Sequence, residues 1–414
     1  MPIREDVERE ARAAGAAAAG LTDDAVSAAL TQVAAVLRER RTEVLAANGA
    51  DVEAAKGQLD EGTLDRLRLD DGRLEALEGQ VLVTAALRPL EREIGSRTLA
   101  NGLVVTERRI PIGTVGANFE ARPNVALDVA GQLLKGLNAA VLRTGSAALR
   151  TVTVLVDDVL RPALEAAGLQ PEAVGLVRFG DREGARVLVS MPALVPLVIL
   201  RGSGPSTAEL ARLAAQNDVR TLAHAEGGGV LYLHSAASPE KALALAEASL
   251  DRLGVCNRLN LTLVDRGAAG LLEPLLRLFA AKGLEVRGDV PGAEPLDEPV
   301  GHEWASDPDR VSTVTVLYVD GLDDALRIAN AETSGLAAGI VTEDAQAAER
   351  FLDGYRGTAA FWHAPTRFAD GFELTGSPET GINVDRVPGP RGPVTYRDLW
   401  LRQYRVGGDG SQMR

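Results

Sequence analysis

Twice along this chain, short apolar runs alternate with stretches of helical character, and this alternation narrows the possible folds more than any other feature. Thr114–Phe119, Ala139–Leu142, Gly175–Arg178, Val195–Leu200 and Val219–Ala223 read as strands, with helices starting near Pro123, Ser146, Asp181 and Pro205. A second set follows at Val230–Leu233, Leu259–Val264, Thr313–Val319, Ala338–Val341 and Ala359–Trp362. Strands that are apolar along their whole length are buried on both faces, so repeated strand–helix units predict parallel sheets covered by helices. A chain of 414 residues exceeds the size of a single core. We expect two α/β lobes, residues 1–228 and 229–362, followed by a return segment over 363–414.

The remaining segments are less regular. From Asp24 to about Ala47, Val26, Leu30, Val33, Leu37 and Val44 form the stripe of one amphipathic helix. Asn101-Gly102, between β-prone flanks, predicts a protruding hairpin over about 97–109. Gly, Pro, Asp and Glu concentrate over Gly288–Asp307, which reads as a loop, and Val394–Val406 reads as a returning strand.

Composition excludes several classes of partner. The net charge is −14, which repels nucleic acid and acidic membranes but allows a local basic pocket for an anionic metabolite. No apolar run approaches the roughly 18 residues that span a bilayer. Met1-Pro2-Ile3-Arg4-Glu5-Asp6 has no signal-peptide core, so a cytoplasmic protein is expected. Four histidines and one cysteine are scattered without metal-ligand spacing, and no structural metal is expected.

That one cysteine, Cys256, stands at the mouth of a strand in Leu253-Gly254-Val255-Cys256-Asn257. Two uses are open to it: a nucleophile, or a small buried hydrophobe, the commoner fate of a free cysteine. Leu200-Arg201-Gly202-Ser203-Gly204-Pro205 runs from a strand through a small-residue turn into a helix, a place where backbone N–H groups can face a phosphate. Gly227-Gly228-Gly229 either lets a cofactor approach the backbone or forms a hinge between lobes.

In order along the chain, Ile110-Pro-Ile-Gly-Thr-Val-Gly, Glu120-Ala-Arg-Pro-Asn124, Leu134-Lys135 with Asn138-Ala-Ala-Val-Leu-Arg143, Arg201-Gly202, Val255-Cys256-Asn257, Ile340-Val-Thr-Glu-Asp344, Thr366-Arg367-Phe368 and Arg391-Gly392-Pro393 resemble the γ-glutamyl phosphate reductases, also called glutamate-5-semialdehyde dehydrogenases, of the aldehyde dehydrogenase superfamily. The resemblance implies an aldehyde-dehydrogenase-like fold and a homo-oligomer, dimer or tetramer, built through the hairpin and the C-terminal strand. It also implies NADPH-dependent reduction of L-glutamyl 5-phosphate to L-glutamate 5-semialdehyde in proline biosynthesis, through a thioester on Cys256. A glutamate-kinase-type enzyme would supply the acyl phosphate.

Residue by residue, the same resemblance gives Asn124 as donor to the developing oxyanion, with helix capping as its other use. Arg122, Arg252, Arg367 and Arg391 become candidates for the substrate's carboxylate and phosphate, which guanidinium groups grip bidentately. Gly202, Ser203 and Gly204 match the turn that faces the pyrophosphate. Arg143 and Ser146 lie where the adenosine ribose binds, Arg143 either reading the 2′-phosphate of NADP or making an ion pair. Glu379 either holds the nicotinamide ribose or is a solvated loop residue. Several positions depart from the family pattern: Asp251-Arg252-Leu253-Gly254 replaces Gln-Arg-Pro-Ser, Asn260 replaces Glu, Leu336 and Ala338 replace a His and a Glu, His363-Ala364-Pro365 precedes Thr366, and Leu374–Glu379 replaces a glycine-rich stretch. Two alternatives follow from these changes. One is a paralogue that reduces another acyl phosphate or a carrier-bound acyl group; the other is a non-catalytic paralogue that binds nucleotide or a partner.

Overall fold

The computed structural model describes residues 2–202, 204–224, 227–307, 309–387 and 389–412. Five helices lead the chain: Pro2–Ala18, Asp23–Glu39, Arg41–Ala55, Glu61–Leu67 and Asp71–Ala86. The single helix expected from Asp24 is thus two helices, broken at Arg40, which leaves helical geometry at φ −91° and ψ 13°. The apolar stripe survives the break. Val26, Leu30, Val33, Leu37 and Val44 are all buried in one core, and the bend turns the second helix onto Leu149–Val154. Buried Asn48 then pins the next segment, donating to Leu67 O at 2.9 Å and accepting from Leu69 N–H at 2.7 Å.

The hairpin is β1 (Glu93–Thr98) and β2 (Val104–Pro111), with Gly102 at φ +87° in its turn, where a side chain would be strained. The first parallel sheet follows: β3 (Thr114–Phe119), β4 (Ala139–Thr144), β5 (Val174–Val177), β6 (Leu197–Arg201) and β7 (Arg220–His224), in spatial order β5-β4-β3-β6-β7. The second is β8 (Gly229–Leu233), β9 (Leu259–Asp265), β10 (Glu285–Gly288), β11 (Thr313–Val319), β12 (Ala337–Val341) and β13 (Ala359–Trp362), in order β10-β11-β9-β8-β12-β13. Both sheets are parallel throughout. Every stretch read as a strand in the two sets is a strand, with small shifts at the ends. Apolar side chains pack on both faces of each sheet, in the clusters of Leu142 and Val141 for the first and Leu231 and Val230 for the second.

The chain returns through β14 (Gly381–Asn383), β15 (Gly392–Val394) and β16 (Trp400–Gly407). One continuous strand over Val394–Val406 does not form. Asp398 closes a turn by accepting from Thr395 N–H at 2.8 Å, and Tyr396 is held by Gln132 and by Arg88 O. β16 then pairs antiparallel with β2. Buried Asn138 links this three-stranded sheet to the first lobe: it accepts from Ile112 and Gly113 N–H and donates to Leu399 O. A buried polar group held on every side this way costs about 1–3 kcal/mol to disrupt.

Candidate active site

In the first sheet β3 is central, and the chain runs from it to β4 on one side and later to β6 on the other. The carboxyl ends of β3 and β6 therefore flank a switch in strand order, the usual crevice for a ligand in an open α/β sheet. The loop after β3 carries Glu120, Arg122 and Asn124, and β6 ends in Arg201 and Gly202. A Cβ at Gly202 would lie 3.1 Å from the Glu120 carboxylate carbon, so the turn passes closely over that side chain. Ser206, in the helix Gly204–Gln216, donates to Glu120 Oε1 at 3.0 Å. Ser203 lies outside the described residues.

Cys256 faces this crevice from the loop that enters β9. Its carbonyl accepts from Gly228 N–H at 2.6 Å, and Arg258 O accepts from Gly229 N–H at 2.7 Å. The three glycines let two loops touch. A Cβ on Gly227 would overlap Glu303 Oε1 and sit 2.5 Å from Cys256 Cβ, and one on Gly229 would overlap Thr366 Oγ1. They are a packing surface for the cysteine loop.

Asn257, the next residue, is fixed by the return segment. Its Nδ2 donates to Arg367 O and Ala369 O at 3.0 and 3.2 Å, and its carbonyl accepts from Thr366 Oγ1 at 2.8 Å. Arg367 closes the clasp, Nε to Asp251 at 2.6 Å and Nη1 to Asn257 Oδ1. Buried Asn260 holds a third loop, donating to His302 O at 2.7 Å and accepting from Trp304 N–H at 3.0 Å.

Cys256 is half-buried, packed against Leu336, Ala337, Ala359, Ala369 and Ile382. Burial pushes its thiol up to about 12; Glu303 and Glu379 add to the rise, while Arg122 and Arg201 oppose it. Burial, reinforced by the positive charges of Arg201, Arg66 and Arg252, pushes the Arg122 guanidinium down to about 10. Two guanidinium groups, Arg122 and Arg201, thus act on the thiol, and Arg66 and Arg252 add positive charge around Arg122, an arrangement that calls for anions. Among the described residues Arg122 has no hydrogen-bond acceptor, so its donors face the cleft.

Asn124 precedes the helix Val125–Lys135 but does not cap it. It donates to Asp128 Oδ2 at 3.1 Å, leaving a second N–H. Burial raises the Asp128 carboxyl to about 7, and its Oδ1 is buried without a partner. Glu379 lies 3.8 Å from Arg201, within the charged surroundings of Cys256, and is not a solvated loop residue.

The other expected residues lie elsewhere. Arg143 is buried, with Nη1 donating to Asn118 Oδ1 at 3.0 Å and Nη2 to the carbonyls of Gly180 and Asp181. Its guanidinium ties the ends of β3 and β4 to the next loop instead of facing solvent as a 2′-phosphate reader would. Ser146 is exposed just beyond β4, and Gly180 packs on its backbone. Arg391 donates to Arg356 O and Ser334 O and ties together turns of the second lobe. Arg252 is exposed, 4.0 Å from Asp65.

Arg66, Arg201, Asp128 and Glu303 were not singled out from sequence. Asn124 and Asp128, four apart on one helical face, carried a usable signal. Arg66 and Glu303 come from a short leading helix and an irregular loop, where no pattern marks them.

The fold is aldehyde-dehydrogenase-like. An acetylating aldehyde dehydrogenase from Geobacillus thermoglucosidasius superposes with a TM-score of 0.69 at 15% identity, covering 100% of this chain and 98% of that one. γ-Glutamyl phosphate reductase from Thermotoga maritima superposes with a TM-score of 0.90 at 27% identity, covering 99% and 100%. No family model matches the chain. The γ-glutamyl phosphate reductase of Rhodospirillum rubrum is 36% identical over 412 residues, 98% of this chain and 95% of its own. That of Zymomonas mobilis is 36% identical over 389 residues, covering 92% and 90%. The chain belongs to the γ-glutamyl phosphate reductase family, a family of oxidoreductases.

Proposed function

We propose that this protein reduces L-glutamyl 5-phosphate to L-glutamate 5-semialdehyde, releasing phosphate, through a thioester on Cys256. The observation that carries this reading is the pair of guanidinium groups, Arg122 and Arg201, beside a half-buried thiol, with Arg66 and Arg252 adding positive charge around Arg122. A dianionic phosphate on the acyl carbon and a carboxylate at the far end of the substrate are the charges such a cluster suits. Arg122 grips the phosphate and draws off its charge as it leaves. The remaining N–H of Asn124 donates to the carbonyl oxygen as it becomes anionic. The apolar wall of Leu336, Ala359 and Ile382 keeps water from the thioester.

The hydride donor in this reading is a nicotinamide dinucleotide, and NADPH is the form proposed. The crevice between β3 and β6 fits it, with Gly202 allowing close backbone approach, the helix from Gly204 directing N–H groups at phosphate, and Glu379 placed for the nicotinamide ribose. When bound, the dinucleotide supplies the hydride that reduces the thioester. Since Arg143 is engaged within the lobe, a preference for NADPH has to arise from other residues near Ser146. The sheet of β1, β2 and β16 exposes Ile94, Leu99, Val104, Leu401, Tyr404 and Val406, an apolar surface suited to a homo-oligomer. No helix is long and apolar enough to cross a membrane, and a cytoplasmic location with a glutamate-kinase-type supplier completes the proposal.

The test is the reverse reaction. Purified protein with NADP⁺, phosphate and glutamate-5-semialdehyde should produce NADPH absorbance, and Cys256→Ala should not. Binding of NADPH without turnover would instead favour a different acyl substrate.

A further inference from the structure

The cysteine that performs the proposed chemistry is a thiol near neutral pH, because burial and two carboxylates disfavour its anion. Attack on an acyl carbon therefore needs a group that removes the proton as the bond forms. Among the histidines with described side chains none serves. His234 and His363 engage Thr342 on the far side of the second sheet, and His302 turns toward Glu298 and Asp307. Where the family pattern has a histidine, Leu336 is fully buried in the apolar wall. Glu379 is paired with Arg201.

A second carboxylate lies beside the sulfur. Glu303 Oε1 and Cys256 Cβ converge on the same point above Gly227, so closely that any side chain there would displace one or both. Of the charges acting on the thiol, that of Glu303 is the largest. Its position is built. Asn260 bonds the backbone on either side of it, at His302 O and Trp304 N–H. Trp304 is buried, donates to Thr315 Oγ1 at 2.9 Å and carries the Arg310 guanidinium 4.4 Å over its ring. The substitution of Asn at 260 is thus what anchors the loop.

We propose that Glu303 is the catalytic base that accepts the Cys256 proton during acyl transfer, with Asn260 as its positioning residue. The proposal rests on Cys256 being the nucleophile. In the step, the S–H proton passes to a Glu303 oxygen while the Sγ–C bond forms. The C–O bond to phosphate then breaks, and phosphate leaves with the bonding pair. No oxidation or reduction occurs. When the reduced carbon later expels the thiolate, the sulfur takes the proton back from Glu303, restoring the resting pair.

The test compares wild type, Glu303→Gln and Asn260→Ala in two assays that need neither glutamyl phosphate nor a dinucleotide. Alkylation of Cys256 by iodoacetamide across pH reports its ionisation, and the p-nitrophenolate burst from p-nitrophenyl acetate reports its acylation. Removing the carboxylate should move the alkylation midpoint of Glu303→Gln to lower pH and yet slow acylation at pH 7 by roughly 10²-fold. A more ionised but slower cysteine is a pairing that a merely structural defect does not produce. Asn260→Ala, if Glu303→Gln folds poorly, should slow acylation and lose the low-pH limb of the wild-type profile. Acylation by Glu303→Gln at or above the wild-type rate would overturn the proposal, as would a wild-type rate that follows the thiolate fraction alone. Efficient acylation without reduction of glutamyl phosphate would contradict the proposed substrate and leave Glu303 in place.

Discussion

The two lips of the cleft are built on opposite plans. On the lip from the second sheet and the return segment, Asn257, Asn260, Arg258 and Arg367 all direct their polar atoms at nearby backbone or at one another. On the lip from the first sheet, Arg122 has no acceptor among the described residues, Asp128 keeps an unpartnered buried oxygen, and Asn124 holds one N–H in reserve. One lip immobilises the cysteine loop, and the other carries polar groups without partners among the described residues. The contrast shows why residue type alone misleads: Arg122 and Arg367 share a chemistry, but Arg367 spends its Nε and Nη1 donors on Asp251 and Asn257, whereas Arg122 has no acceptor among the described residues.

The largest expected effect is at Cys256. Cys256→Ala should lower turnover by on the order of 10⁴-fold or more, with no acyl adduct by mass spectrometry. Next come the arginines. Arg122→Ala should raise KM roughly 10- to 100-fold, the worth of a charged hydrogen bond, and weaken inhibition by inorganic phosphate. Arg252→Ala, which removes an exposed charge with only a distant ion pair, should change KM less than about 3-fold. Equal effects at the two positions would break the comparison.

Arg367→Ala tests the opposite lip. It removes two charge-assisted bonds and should cost about 2–3 kcal/mol of stability, read from the urea midpoint, with kcat reduced and phosphate inhibition unchanged. Specific loss of phosphate inhibition would move Arg367 to the binding side. Asp128, on the lip from the first sheet, has its carboxyl raised by burial from its ordinary 3.8 to about 7. Its contribution to stability is complete below about pH 4 and is lost as pH rises through 7. Asp128→Asn escapes that loss, so it should match wild type near pH 4 and exceed it above pH 7 by roughly 4 kcal/mol, the worth of a rise of that size. Denaturation curves at pH 4, 6 and 8 check both the sign and the window.

Strands such as Thr114–Phe119 and Thr313–Val319 were legible because a run buried on both faces is apolar at every position, a local property. Cys256 and its loop were legible through residues close together in sequence, and so was the Glu120–Asn124 stretch. The helix break at Arg40 and the turn at Thr395–Asp398 were not, since both serve contacts with distant segments and leave the apolar pattern intact.

What the sequence determined by itself was the pair of parallel sheets, the hairpin and the place of the cysteine loop at the mouth of a strand, because periodicity and short motifs are written in consecutive residues. Tertiary structure alone decided which charges meet. Arg143, Arg367 and Arg391 turn inward to carbonyls and side chains, whereas Glu303 arrives beside Cys256, and Arg66 near Arg122, from segments far away in the chain. Electrostatic and hydrogen-bonding partners act over a few ångströms of space, and no distance along the chain encodes them.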